Sequence, residues 1–172
     1  MGLDMYAFSL TPSEEIPTTD AIARYRLPPA TSPLPSNFSV TCLDVCGLGA
    51  AVQTMHQQIL DAFLASVFVL PGSTLIHDWT GHPDLHAWMQ RLWRVRRRPN
   101  PNAIFSLHTP IGLDTSALDA LEHAVRQGQL PPGSGPFFGE SDGSEREDDL
   151  AFIAKARAEI AQGRLVYYTS WW

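Results

Sequence analysis

Three histidines and two aspartates fall within ten residues in the middle of the chain, and such side chains bind metals or transfer protons. The segment reads HDWTGHPDLH, and its histidines are His77, His82 and His86. The four-residue spacing of His82 and His86 suits one helix face, and with Asp78 or His77 they would offer the nitrogen and oxygen ligands that zinc prefers. However, the segment lacks the glutamate of zinc-protease helices, and His82 precedes a proline, so it is expected outside the helix. We therefore predict no metal and no cofactor, and keep His82 and His86 as candidate acid–base residues.

Five arginines follow in the segment RLWRVRRRP, beginning with Arg91 and Arg94. Arginine binds phosphate with two parallel hydrogen bonds, so this segment is a candidate phosphate or nucleotide contact. Two other interpretations stay open: the arginines complement the negative end of a helix dipole, or they pair with the acidic run around Asp148 and Asp149. The formal net charge of −6 argues against general nucleic-acid binding.

Aromatic side chains are the third feature that could serve function, and the chain ends LVYYTSWW. In a terminal strand, Tyr168 would share a face with Trp172, and Tyr167 with Trp171. One row would meet the helices and the other would face solvent or a partner. Core packing is the alternative for most of these rings. The predicted ligand- or partner-binding residues are Tyr6, Trp79, Trp88, Arg91, Arg94, Phe138, Tyr168, Trp171 and Trp172.

Composition limits the class of protein. The chain has 172 residues, of which 44% are hydrophobic and 17% charged, which fits one globular domain over 1–172. The longest nearly apolar stretch, residues 62–70, is too short to span a bilayer. No secretory signal opens the chain. We expect a cytoplasmic protein that does not enter membranes.

The elements that must position these residues follow from periodicity and from Pro and Gly signals. Strands are predicted at 3–9, 103–108 and 164–172, with a turn after 108. Helices are predicted at 50–70, at 82–98 with His82 near the cap and Pro83 in the first turn, at 114–127 and at 144–162. Ser144 and Glu147 have capping-box spacing at the start of the last helix. This order predicts an α+β fold, a small and mainly antiparallel sheet that includes both terminal strands and is covered by about four helices on one face.

Four motifs together resemble a family of small bacterial and phage proteins whose activity is not established. They are the opening MGLDMY, the middle HPDLHAWM, the loop FFGESDGSEREDDLAFIAKA and the end VYYTSWW. The resemblance covers residues 1–8 and 79–172. Residues 24–75 do not follow the pattern and are interpreted as a divergent insertion with a Pro-rich loop and one helix. The family commonly has Trp-Arg-Lys where this chain has Trp79-Thr80-Gly81.

Two functions are compatible with these observations. The sequence favours a small binding or adaptor protein of phage or mobile-element type, because it offers an aromatic surface and no complete catalytic set. Its partner would be a protein or a small molecule, and a homodimer is compatible with the sequence. The alternative is a small hydrolase or transferase on a phosphorylated or nucleotide substrate, with His82 or His86 as acid or base and Arg91 or Arg94 on the phosphate.

Overall fold

The described part of the chain folds into a four-stranded antiparallel sheet packed against helices. The structure is a computed structural model that describes residues 2–22, 69–96, 105, 109–135 and 138–172. The predicted helix at 50–70 lies almost wholly outside these residues, as does most of the predicted strand at 103–108 and of the predicted insertion. The elements are β1 Asp4–Leu10, α1 Thr19–Ile22, β2 Thr74–Thr80, α2 Pro83–Arg96, β3 Ile111–Leu113, α3 Thr115–Gln127, α4 Arg146–Ala161 and β4 Leu165–Trp171. None of the helices in the described segments is long and apolar enough to cross a membrane.

The strand order is β2-β1-β4-β3, and every neighbouring pair is antiparallel. The prediction of an α+β fold whose sheet contains both terminal strands is confirmed, and those two strands are its central pair. Two strands were not predicted: β2 lacks a clean alternation, and β3 lies in the segment predicted as a turn. β3 contains Gly112, where a Cβ atom would lie 2.3 Å from Thr19 Cγ2. A glycine is therefore needed for α1 to approach the sheet.

Side chains of the two central strands alternate between two hydrophobic clusters. Met5 and Tyr168 belong to the larger cluster, to which α2, α3 and α4 contribute Met89, Leu118 and Phe152. The smaller cluster lies on the opposite face. Its members are Tyr6, Phe8, Leu10, Ile16, Ile22, Leu70 and Tyr167. The second aromatic row of the tail, predicted to face solvent or a partner, is thus covered at Tyr167, which is fully buried.

β2 changes register against β1 at Ile76. His77 pairs with Ala7, whereas the next residue of β1, Phe8, pairs with Leu75. Such a bulge places two consecutive residues on one side of the strand. As a result Ile76 packs against the larger cluster, while the rings of His77 and Trp79 lie near Phe152 of α4.

The helix ends follow sequence signals in α3 but not in α4. The segment DTSALDALEHAVRQG offers Asp114 or Thr115 as N-cap and Gly128 as the helix stop; Asp114 is the cap, accepting a hydrogen bond from the backbone N–H of Ala117, and Gly128 ends the helix at φ 62°. The predicted Ser144–Glu147 capping box is wrong, because α4 begins at Arg146 and its N-cap residue Glu145 makes no side-chain cap bond.

The buried face of α4 also differs from the predicted one. The apolar periodicity of this segment predicts a buried stripe of Leu150, Ile153, Ala154, Ile160 and Ala161. Of these only Ile153 is among the buried residues, which are Asp149, Phe152, Ile153 and Ala156. Their spacing of three, four and seven residues defines one helix face. The buried face of α4 therefore includes a carboxylate, that of Asp149, beside apolar side chains.

Removing the Tyr167 hydroxyl is expected to destabilise the protein. This hydroxyl accepts a hydrogen bond from the Leu70 N–H and donates one to Ser73 Oγ, both at 2.9 Å. Tyr167→Phe leaves these buried groups without their partner, so the free energy of unfolding should fall by about 1–3 kcal/mol in urea titrations. Val95→Ala, at an exposed site, should change it by less than about 0.5 kcal/mol. A similarly small change in Tyr167→Phe would contradict the prediction.

Candidate active site

His82 lies at the junction between β2 and α2. Gly81 makes the turn at φ 71° and donates its N–H to the Leu3 carbonyl. The His82 carbonyl then accepts the N–H of His86, so α2 begins at Pro83 and His82 is outside it, as predicted. The imidazole is 3% exposed. This turn fixes the backbone on both sides of a buried histidine.

The partner of His82 is Asp149, on the buried face of α4. Asp149 Oδ2 lies 3.0 Å from His82 Nε2, and Oδ1 accepts a hydrogen bond from Trp79 Nε1 at 3.1 Å. Both side chains of the His82–Asp149 pair are almost fully buried. Because each carboxylate oxygen has a donor, the buried charge is compensated.

Ser141 completes a chain of three polar groups. Its Oγ lies 2.8 Å from His82 Nδ1 and accepts the N–H of Asp84 at 3.2 Å. A carboxylate only accepts hydrogen bonds, so Asp149 fixes the proton of a neutral His82 on Nε2. Nδ1 then accepts the Ser141 hydroxyl proton. The order carboxylate, imidazole, hydroxyl is the arrangement that activates a serine for nucleophilic attack.

The loop before Ser141 is held against the first turn of α2. The N–H of Gly133 donates to Asp84 Oδ1 at 2.8 Å. A Cβ atom at Gly133 would lie 2.0 Å from the Pro83 carbonyl oxygen. The absence of a side chain at Gly133 therefore lets the two backbones touch and sets the position of Asp84.

The three groups open on a cavity of about 260 Å³. Its wall combines polar groups of the site with parts of α3 and α4. The lining residues are His82, Asp84, Val125, Gly128, Leu130, Ser141, Gly143, Glu145, Arg146 and Asp149. A cavity that joins apolar walls to a few convergent polar groups is typical of a small-molecule site.

His77 forms a second histidine–aspartate pair beside the first. His77 Nε2 lies 3.0 Å from Asp148 Oδ2, and Lys155 Nζ lies 3.4 Å from Nδ1. Its ring centroid is 4.4 Å from that of Trp79. This pair does not line the cavity, and Asp148 is half exposed. In the described part of the chain, no group of three or more potential ligands could hold a metal ion.

His86 is in a different environment from His82. Its Nδ1 lies 2.7 Å from the Tyr168 hydroxyl. Its ring contacts those of Phe105, Phe138 and Trp172, with centroids 5.0–5.4 Å away. Burial lowers the pKa of His86 to about 4. His86 is therefore a neutral core residue at neutral pH, and it does not line the cavity.

The predicted binding residues are not gathered in one place. Arg91 and Arg94 are exposed on α2, and neither lines the cavity. Arg96, farther along, pairs with Asp114 at 2.6 Å rather than with the acidic run of α4. Trp88 is partly buried against the larger cluster.

Most of the predicted aromatic residues are core residues. Tyr6, Trp79, Phe138 and Tyr168 are each at most 8% exposed. Trp171 and Trp172 keep intermediate exposure, and Trp172 packs against the larger cluster.

The structure brings together Trp79 and His82 from the predicted set. It adds two residues that the sequence did not indicate, Ser141 and Asp149. Asp149 could have been suspected from its spacing to Phe152 and Ile153, whereas Ser141 carries no sequence signal.

Neighbouring carboxylates on α4 provide a matched test of the buried pair. Asp149→Asn keeps the shape of the side chain, but its amide has one acceptor oxygen, so it cannot accept the hydrogen bonds of both His82 and Trp79 on separate oxygens. The free energy of unfolding should therefore fall by about 1–3 kcal/mol. Asp148→Asn, at a side chain 54% exposed, should change it by at most about 1 kcal/mol. Urea titration measures both. Equal losses in the two variants would contradict the burial of charge at Asp149.

The pH dependence of stability should carry a contribution from His86. An unfolded histidine has a pKa near 6.5, whereas burial lowers that of folded His86 to about 4. Between these values the unfolded state binds more protons, so stability falls as the pH falls from about 6.5 to about 4. His86→Phe should be less stable at pH 7, because Tyr168 loses its partner, yet show a shallower slope in this window. His123→Gln, at an exposed position, should keep the slope; an unchanged slope in His86→Phe would refute the assignment.

Comparison with protein-family models, with curated proteins and with solved structures gives no match to this chain. The resemblance to the small bacterial and phage proteins stays an expectation based on the four motifs.

Proposed function

We propose that the chain is a small hydrolase or acyl transferase in which Ser141 is the nucleophile, His82 the general base and Asp149 the residue that orients and stabilises His82. The observation that carries the proposal is the hydrogen-bonded chain from Asp149 through His82 to Ser141, which ends at a cavity. This is a form of the enzyme alternative inferred from the sequence, with Ser141 and Asp149 added.

The surroundings of Ser141 favour its activation. The N–H of Asp84 points at Oγ from the first turn of α2, where the helix dipole is positive. A hydrogen bond to the charged form of a group favours that form. The same donor and dipole therefore favour an ionised Oγ, while His82 Nδ1 is positioned to take the proton.

The reaction balances without a cofactor. The Ser141 proton passes to His82 Nδ1 as Oγ bonds to the substrate carbonyl carbon, and Asp149 stabilises the resulting imidazolium. The imidazolium then gives this proton to the leaving alcohol or amine as the bond to the carbonyl carbon breaks. Water then bonds to the acyl carbon as His82 takes its proton, the bond from that carbon to Ser141 Oγ breaks to release the acid, and His82 returns the proton to Oγ. In a transferase, a second alcohol or amine would replace the water.

A phosphorylated substrate stays a prediction from the sequence. Its phosphate was assigned to Arg91 or Arg94, and neither lines the cavity, whereas Arg146 does.

The binding or adaptor function also stays a prediction. Burial of Tyr168, Trp79 and Phe138 leaves the partly exposed Trp88, Trp171 and Trp172 as its aromatic candidates.

The network could also serve only to join the loop to α2, and an activity test separates the two roles. The wild-type chain should hydrolyse p-nitrophenyl butyrate and should be labelled at Ser141 by a fluorophosphonate, with the site identified by mass spectrometry. Ser141→Ala should abolish labelling, and Asp149→Asn should lower the hydrolysis rate by roughly 10²–10⁴-fold, because the imidazole loses its orienting charge.

Ser144 provides the control, since it is an exposed serine of the same loop. Ser144→Ala should keep the labelling and the rate of the wild type. Circular dichroism checks that each variant is folded. Hydrolysis that persists in folded Ser141→Ala, or a wild-type chain that does not react with the fluorophosphonate, would refute the proposed function.

A further inference from the structure

The cavity beside Ser141 has more negative than positive side chains. Apart from His82, its ionisable lining residues are the carboxylates of Asp84, Glu145 and Asp149 and the guanidinium of Arg146. The Asp149 side chain is only 2% exposed, and both its oxygens already accept hydrogen bonds. Asp84 and Glu145 have intermediate exposure, so they are the carboxylates that can meet a ligand.

Backbone amides orient these two carboxylates without using their full capacity. Asp84 Oδ1 accepts the N–H of Gly133 at 2.8 Å, and Glu145 Oε2 accepts the N–H of Gly143 at 3.0 Å. An ionised carboxylate has about four acceptor sites. Each side chain thus keeps acceptor sites for a cationic donor in the cavity.

Arg146 offsets only part of this charge. Its Nη2 donates to the carbonyl oxygen of Arg126 at 3.0 Å, near the C-terminal end of α3. Helix dipoles do not decide the sign of the charge, because the negative end of α3 borders the cavity at Gly128 whereas the positive ends of α2 and α4 border it at Asp84 and Arg146. The chain as a whole carries a net charge of −6, which attracts cations at long range.

The rest of the wall is apolar and the volume is small. Val125 and Leu130 contribute aliphatic side chains. The cavity, at about 260 Å³, lies just below the range of about 300–1,000 Å³ that drug-sized ligands occupy. It therefore suits a short apolar stem with one charged end.

We propose that the cavity selects esters or amides that carry an ammonium or guanidinium group on a short apolar stem, with the cation against Asp84 and Glu145. The inference rests on the proposed function for the bond that is cleaved, whereas the charge preference follows from the cavity itself. A phosphorylated substrate would bring its negative charge toward the same carboxylates, so this inference replaces the phosphate of the sequence-based alternative by a cation.

Three probes of similar size test the charge preference without requiring catalysis. Benzylammonium, benzyl alcohol and benzoate are titrated into the full chain at low salt, and binding is followed by backbone amide chemical shifts. Benzylammonium should bind about 3- to 10-fold more tightly than benzyl alcohol, with the largest shifts at Gly143, Glu145 and Arg146. Benzoate should bind more weakly than either.

Two glutamates of α4's N-terminal region give the matched variants. Glu145→Gln removes a charge from the cavity wall and should lower benzylammonium affinity by about 3- to 10-fold. Glu147→Gln removes the same charge from an exposed position that does not line the cavity, and it should change affinity by less than about 2-fold.

The outcomes separate the two proposals. Benzylammonium binding that depends on Glu145 supports the charge preference even if Ser141 shows no reactivity, and in that case only the proposed function fails. Ester hydrolysis that depends on Ser141, combined with equal or tighter binding of benzoate, overturns the charge preference and keeps the hydrolase. No response to benzylammonium at the cavity residues also overturns the charge preference.

Discussion

The buried pair of His82 and Asp149 is the interaction on which the surrounding structure depends. Removing a carboxylate from water costs several kcal/mol unless it is paired and hydrogen-bonded. Here three separate parts of the chain contribute to the hydrogen-bonded network around it. Trp79 of β2 donates to one oxygen, His82 at the start of α2 donates to the other, and Ser141 from the loop before α4 occupies the remaining nitrogen of His82. The pair therefore holds β2, α2, α4 and the loop in one arrangement, and a shift of any one would leave a buried polar group unsatisfied.

The sheet explains why these donors meet. The bulge at Ile76 and the alternation beyond it turn His77 and Trp79 toward α4. α4 presents Asp148 and Asp149 in its first turn, where acidic side chains also complement the helix dipole. Each of these consecutive aspartates pairs with a histidine. Asp148 pairs with His77 at the edge of the core, and Asp149 pairs with His82 inside it. Only the inner pair reaches the cavity, so burial and not residue type distinguishes the candidate site from its neighbour.

Much of the fold could be predicted from the sequence, but little of the site. Regular periodicity and Pro or Gly signals identified β1, α2, α3, α4 and β4, because each of these elements satisfies a local rule. β2 and β3 escaped prediction since one contains a bulge and polar residues and the other has three residues, so tertiary pairing decides both. His82 was identified as a candidate because histidines transfer protons. Because it precedes Pro83, it was correctly predicted to lie outside the helix. Asp149 and Ser141 were missed because their roles come from contacts about sixty or more residues away along the chain. His86 looked equivalent to His82, and only the aromatic rings around it distinguish the two.

The pairing of β1 with β4 also bears on how the chain acquires its structure. Leu10 pairs with Leu165 and Asp4 with Trp171, so the two central strands come from opposite ends of the chain. Contacts between residues so far apart in sequence are associated with slow folding, because a long loop must close before they form. During synthesis β1 emerges long before β4, and until then its apolar residues have no central partner in the sheet. The sheet can therefore be completed only after translation has passed Trp171, and the site built on it depends on a strand that is made long after β1.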